Sequence, residues 1–302
     1  MKILVIGKNG QVGHALQRSL APLGELIAVD RQRCDLADLA TIDATLDAEQ
    51  PNIIVNAAAY TAVDKAESEP ELAHQINAAA PTHLAKAAHA AGALLIHYST
   101  DYVFDGNQSE PYVETDAVAP QSSYGRSKLA GEQGIARHHA KHLILRTSWV
   151  HSEHGGNFIK TILRLAQQKD TLNIVADQIG TPTGATLIAD VTAQLIARHQ
   201  QGIGPYGCYH LTASGHTTWY DYARLLVQYA RQAGIPLHTS PEAIHPIATA
   251  DYPTPARRPA NSRLDTTKLC RTFDIALPTW ETGVQETIAR LAQEHTMRGT
   301  SA

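Results

Sequence analysis

The sequence predicts an α/β fold, a doubly wound parallel sheet followed by a smaller C-terminal α/β unit. Three observations predict it. Short apolar runs of strand type, at residues 2–6, 26–29, 53–55, 94–98 and 142–147, alternate with helix-length segments, as parallel strands and their crossover helices do. The first run passes directly into Gly7-Lys8-Asn9-Gly10-Gln11-Val12-Gly13. Later runs end in polar or small residues, where a sheet of this kind binds its ligands. The division expected is a Rossmann-type dinucleotide-binding domain over 1–150, rejoined by about 171–201. A substrate-binding domain is expected over 151–170 and 202–295, with a flexible tail over 296–302.

At 302 residues and 43% hydrophobic, the chain is long enough to bury a substantial core. Its net charge of −4 shows no basic excess, which argues against nucleic acid or an anionic membrane surface as the main partner. Cys34, Cys208 and Cys270 are odd in number and widely spaced, so neither a disulfide framework nor a zinc site is indicated. The first apolar run is too short for a signal peptide and none approaches eighteen residues, so a cytoplasmic location is expected. Sixteen histidines fall in no H-E-x-x-H pattern, and no metal site is expected.

In chain order, the strand at 2–6 precedes a G-x-x-G-x-x-G turn and a helix through Leu16 and Leu20. Glycines at 7, 10 and 13 allow a tight turn, approach of backbone to a diphosphate and close helix packing, while the helix N-terminus supplies N–H groups. The second strand ends at Asp30, placed to bind ribose hydroxyls, but Arg31 and Arg33 follow and suit a 2′-phosphate. NADH and NADPH both stay open. A helix near 38–48 leads to the third strand and to Asn56-Ala57-Ala58-Ala59-Tyr60, whose small residues let a flat ligand lie on the backbone. An alanine-rich helix over 70–91, opened by Pro70, returns the chain to the fourth strand.

At the end of that strand stands Ser99-Thr100-Asp101-Tyr102, with Thr100 able to hydrogen-bond a substrate oxygen. Tyr124 and Lys128 lie four apart where a loop becomes a helix, so they share one face. A lysine there would lower the phenol's pKa and fit Tyr124 as a general acid for carbonyl reduction. The strand 142–147 ends at Ser148-Trp149, so Thr100, Tyr124 and Trp149 converge on one crevice. Beyond 150 the sequence predicts helices near 157–168, 186–199, 218–233 and 280–294 and a short strand at 172–175. It also holds a glycine-rich stretch at 202–217 that ends in turns and a proline-rich extended stretch through 259. Arg257 and Arg258, framed by Pro255 and Pro259, suit a phosphate or plain surface charge.

With the glycine turn, Ser99-Thr100-Asp101 and Tyr124-x-x-x-Lys128 in this order, the chain resembles the extended short-chain dehydrogenase/reductases. Within them, Val55 to Ala59, Ala62 to Glu67, Tyr98 to Phe104, Arg146 to Val150, Asp177 to Gly184 and Arg258 to Leu264 resemble the dTDP-4-dehydrorhamnose reductase family. The resemblance implies reduction of the C4 ketone of dTDP-4-dehydro-L-rhamnose to dTDP-L-rhamnose. Tyr124 would donate the proton, Lys128 would bind the nicotinamide ribose and tune Tyr124, and Thr100 would assist at the carbonyl. Gly7, Gly10, Gln11, Val12, Gly13, Asp30, Asp35, Leu36, Ala59, Tyr60 and Thr61 would line the NADPH or NADH site together with Tyr124 and Lys128. Thr100, Asp101, Tyr102, Trp149 and Arg258 would hold the nucleotide sugar.

Some members of that family dimerise across a magnesium ion held by glutamates, at places that here read Ala15 and Thr186. Neither binds a cation strongly, so a monomer or weak homodimer is expected. A nucleotide-sugar epimerase or dehydratase is a second reading, although a dehydratase would place an acid where Tyr102 stands. A non-catalytic subunit like the regulatory subunit of methionine adenosyltransferase is a third, and Thr100, Tyr124 and Lys128 together count against it.

Overall fold

The computed structural model describes residues 1–299, with side chains through Glu294. Strand β1 (Lys2–Ile6) is followed by α1 (Gln11–Leu20), β2 (Glu25–Val29), α2 (Leu39–Glu49) and β3 (Ile53–Asn56). A helical stretch then runs as α3 (Pro70–His74), a π turn at Gln75–Ala79 and α4 (Ala80–Ala91). Next come β4 (Leu94–Thr100), α5 (Ser123–His138), β5 (His142–Thr147), β6 (Val150–His151) and α6 (Phe158–Ala166). β7 (Leu172–Val175), β8 (Ile179–Gly180), β9 (Thr183–Gly184) and α7 (Ala185–Gln200) precede β10 (Gly207–His210) and β11 (Thr217–Thr218). The chain ends with α8 (Trp219–Gln232), β12 (Ile244–Ile247), α9 (Thr267–Phe273) and α10 (Trp280–Gly299).

Six strands pair in parallel in the order β10-β5-β4-β3-β1-β2. Alternation along β1 builds two cores. Ile3 and Val5 pack with Leu16 and Leu20 of α1 and Leu195 of α7, while Leu4 and Ile6 pack with Ile42 of α2 and Leu84 of α4. With both faces covered, all seven residues of β4 are buried, polar ones included. The chain steps from β1 out to β2 and then returns to β3 on the other side of β1. That reversal opens a crevice at the carboxyl ends of the strands, the place where such sheets bind ligands.

A third core forms the smaller unit, with Ile159 and Ile162 of α6, Tyr222 and Leu226 of α8, and Val284 and Ile288 of α10. The strand expected at 172–175 forms, but it pairs with β12 rather than with the large sheet. Within the segment expected to rejoin the first domain, α7 is the part that packs on its core. The strand added to the large sheet lies later, at β10, and it pairs with β5. It is four residues long and starts at a glycine with φ of +135°, so only turns were legible there. The short helix α9 was also not expected. The helix expected over 70–91 is interrupted by its π turn. Helix α10 runs on to Gly299 through part of the expected 296–302 tail, and residues 300–302 lie outside the described residues.

One buried ion pair ties α5 to the sheet. Arg146 Nε and Nη2 donate to Glu132 Oε1 and Oε2 at 2.9 and 2.6 Å, with both side chains 7% exposed or less. Removing one partner of such a pair leaves the other charge buried and uncompensated. Arg146→Met is therefore expected to cost on the order of 3–5 kcal/mol in denaturant unfolding. A loss well below 1 kcal/mol would show that Glu132 is solvated or protonated at little cost.

Candidate active site

The glycine turn after β1 is shaped by contacts that leave no room for side chains. Gly7 has φ of +93°, and a Cβ there would stand 2.8 Å from the Ala58 nitrogen. A Cβ on Gly13 would stand 2.0 Å from the Gly7 carbonyl oxygen, so α1 is seated directly on the turn. No side chain caps α1, and its first N–H groups and dipole are left to meet an anion. This cradle fits the diphosphate of a dinucleotide.

Around it, Lys8 Nζ lies 3.1 Å from Asp30 and holds that carboxyl below its ordinary range. Arg31 donates to Asp35 at 3.0 Å, and Arg33 pairs with Glu49. Leu36 is buried in the core beside Ile42, and Val12 packs against the core on the other face. Ala59 leads into Tyr60, whose backbone N–H donates to Asn77 Oδ1 at 2.8 Å and whose hydroxyl donates to Glu69 at 2.7 Å. Gln11 Oε1 accepts from Asn157 Nδ2 at 2.9 Å.

At the end of β4, Thr100 Oγ1 donates to Asp101 Oδ1 at 3.0 Å and accepts from the Tyr102 N–H at 3.2 Å. Burial raises Asp101 to about 6, against hydrogen bonds from Ser262 and Thr100. Helix α5 starts behind Ser122, which accepts from the Gly125 N–H at 3.1 Å. The Glu67 carboxylate accepts from the Ser123 N–H and hydroxyl at 2.7 and 2.9 Å, fixing the first turn from outside the helix. Tyr124 thereby comes to line the same cleft as Thr100, whose hydroxyl acts on the phenol.

The tuning expected of Lys128 is not what the site shows. Burial lifts the Tyr124 phenol above its ordinary range, Thr100 opposes this, and the Asp101 charge adds to it. Lys128 Nζ is turned inward, donating to the Tyr98 carbonyl at 2.7 Å and lying 3.1 Å from His97 Nε2. Burial lowers Lys128 itself to about 8. Desolvation leads at both groups, and the causes acting on the Tyr124 phenol are burial, Thr100, Asp101 and Tyr102 rather than Lys128.

Thr100, Asp101, Tyr102, Tyr124, Trp149 and Arg258 line one cleft of about 1370 Å³, which Gln11 and Thr61 border from the dinucleotide side. Asp30, Asp35 and Leu36 lie outside it. Sequence reasoning missed Trp219, which stacks on Trp149 at 3.5 Å and 12° and donates from Nε1 to Gln178 at 3.2 Å. Trp149 holds φ of +46°, strained for a bulky residue, and its indole lies against Gly180, where a Cβ would stand 2.3 Å away. The sequence signal was Gly180 itself, followed directly by Thr181-Pro182. Asp64 was also missed: it accepts from Arg258 Nη2 at 2.7 Å, while Arg258 Nη1 reaches the Tyr102 hydroxyl at 3.5 Å. Arg257 instead turns to Gln121 at 3.4 Å.

Elsewhere, Ala15 packs on the core, and Thr186 Oγ1 accepts from Arg290, which also pairs with Glu153. Among the described residues no three His, Cys, Asp or Glu side chains gather as a metal site, and no helix is long and apolar enough to cross a membrane.

The chain matches the RmlD substrate binding domain family over residues 1–293. It is 52% identical over 295 residues to the dTDP-4-dehydrorhamnose reductase of Escherichia coli strain K12, an alignment covering 96% of this chain and 98% of that relative. The crystal structure of a dTDP-4-dehydrorhamnose reductase from Clostridium acetobutylicum shares the fold with a TM-score of 0.89 and 37% identity, over 96% of this chain and 99% of that one. The Bacillus anthracis dTDP-4-dehydrorhamnose reductase, solved in complex with NADP, gives 0.88 and 33%, with the same coverage. With its parallel sheet, its glycine turn and matches across nearly its whole length, the chain belongs to the dTDP-4-dehydrorhamnose reductase family.

Proposed function

We propose that the chain reduces the C4 ketone of dTDP-4-dehydro-L-rhamnose to dTDP-L-rhamnose, with Tyr124 as proton donor. The observation that carries this is that Thr100 and Tyr124 line one cleft roomy enough for a nucleotide sugar and a nicotinamide together. Bound NADPH or NADH supplies the hydride. The rest is done by this chain. Tyr124 keeps its proton until negative charge develops on the C4 oxygen, and then hands it to an alkoxide far more basic than a phenolate. Thr100 turns its hydroxyl from Asp101 to the same oxygen. The Trp149 and Trp219 indoles give the nucleotide sugar a flat apolar wall, and Arg258 at the rim meets its diphosphate.

The direct test incubates the protein with dTDP-4-dehydro-L-rhamnose and each reduced cofactor and follows absorbance loss and product. No oxidation with either cofactor would sink the proposal. Tyr124→Phe is expected to lower kcat by about a hundredfold or more, with KM little changed; near-normal turnover would remove Tyr124 from the mechanism. Gly180→Ala drives a methyl group into the Trp149 indole. It is expected to raise KM for the nucleotide sugar, leave cofactor affinity intact, and diminish the near-ultraviolet circular dichroism of the stacked indoles. An unchanged KM alongside a lost signal would dismiss the indole wall as a sugar-nucleotide contact.

A further inference from the structure

Beneath Tyr124 a buried polar chain crosses three elements. Asn56 on β3 and His97 on β4 are register partners, each 1% exposed. Asn56 Nδ2 lies 3.2 Å from His97 Nδ1, and His97 Nε2 lies 3.1 Å from Lys128 Nζ on α5. Lys128 is 2% exposed and also donates to the Tyr98 carbonyl.

The direction of each hydrogen bond follows from one end. The Ala58 backbone N–H, which can only donate, points at Asn56 Oδ1 at 3.2 Å, so the amide presents its NH2 group to the imidazole. His97 Nδ1 must then accept. Burial beside Lys128 keeps the ring neutral, which puts its single proton on Nε2, donating toward Lys128 Nζ. An ammonium has no lone pair to receive that proton, whereas an amine has one.

We propose that His97, oriented by Asn56, is a positioning residue that stabilises the uncharged amine of Lys128 and so sets the pH at which Lys128 loses its charge. The inference rests on the proposed reading of Lys128 as part of the reductase site. Around Lys128, Glu132 acts on it from its own helix, and His97 and the Tyr98 carbonyl face it from β4. Glu132 favours the ammonium, but it is committed to Arg146 of β5. Asp101 lies beyond Tyr124 at the strand end.

Nitrogen-15 NMR of the free protein, labelled at histidine and lysine, tests this without turnover. The result expected is a proton on His97 Nε2 and a Lys128 amine titrating near 8. Asn56→Asp keeps the shape but accepts from both the Ala58 N–H and a ring Nδ1–H, so Nε2 must accept and the ammonium is favoured. The Lys128 titration should then rise by about one pH unit or more, the scale of one hydrogen bond to a charged group. The alkaline limb of kcat/KM should move with it while KM for the nucleotide sugar holds. His97→Gln adds no charge and can turn its carbonyl to the ammonium, so it should shift the titration in the same direction. An Nδ1–H ring in the unsubstituted protein, or a Lys128 titration unmoved in the variants, overturns the inference. Should Asn56→Asp fail to fold, the ring tautomer and His97→Gln decide. Both readings come from the unliganded protein, so they stand or fall apart from the Tyr124→Phe result.

Discussion

Three glycines fix where helix α5, the carrier of Tyr124 and Lys128, lies on the molecule. A Cβ at Gly125 would stand 2.3 Å from the Tyr102 carbonyl oxygen, one at Gly131 would stand 2.1 Å from the Asn77 carbonyl oxygen, and one at Gly134 would stand 1.9 Å from Thr82 Oγ1. Each glycine costs a helix interior roughly 1 kcal/mol relative to alanine, so close packing has to return at least as much. It also fixes position, because the helix cannot slide or turn without striking the Tyr102 and Asn77 backbones. Asn77 itself sits in the π turn between α3 and α4, a device frequent at functional sites. Its side chain is shared between the Tyr60 backbone and Ser127, so one residue registers the dinucleotide-side loop against the reactive helix.

Burial then sets the chemistry of what that helix presents. Desolvation is the leading cause at Tyr124, Lys128, Asp101 and His97, and in each it favours the neutral form. Burial thus works against charge at this end of the cleft before substrate arrives. That suits the proposed proton donor, which must not ionise early. At the edges stand the uncapped start of α1 and Arg258.

Much of this was legible because a parallel sheet writes its function at strand ends. Gly7 to Gly13 after β1, Thr100 at the end of β4 and Trp149 after β5 were singled out by position alone, and the helix face shared by Tyr124 and Lys128 followed from spacing. What spacing could not carry was direction within the face. Lys128 points into the sheet toward His97 and the Tyr98 carbonyl, a preference set by β4, which lies some thirty residues earlier. Contacts between distant segments were equally hidden: Trp219 behind Trp149, Asp64 on Arg258, Glu67 at the start of α5. The glycines of α5 were a signal in plain view, since three of them in a sixteen-residue helix oppose its propensity and call for a packing reason.

The open edge near β2 and the buried chain that ends at Lys128 rest on opposite kinds of electrostatics. Lys8, Arg31 and Arg33 each stand against a carboxylate, Asp30, Asp35 and Glu49 in turn, at the open edge near β2. Ion pairs in water are weak, so a ribose hydroxyl can engage Asp30, or a 2′-phosphate can replace a carboxylate beside an arginine, with little lost in the exchange. The Asn56, His97 and Lys128 chain is buried, where each donor must meet an acceptor and a mismatch is expensive. On the proposed reading, changes among the edge cations alter which dinucleotide is preferred and leave the buried groups as they are, whereas any change in the buried chain reaches Lys128 at once.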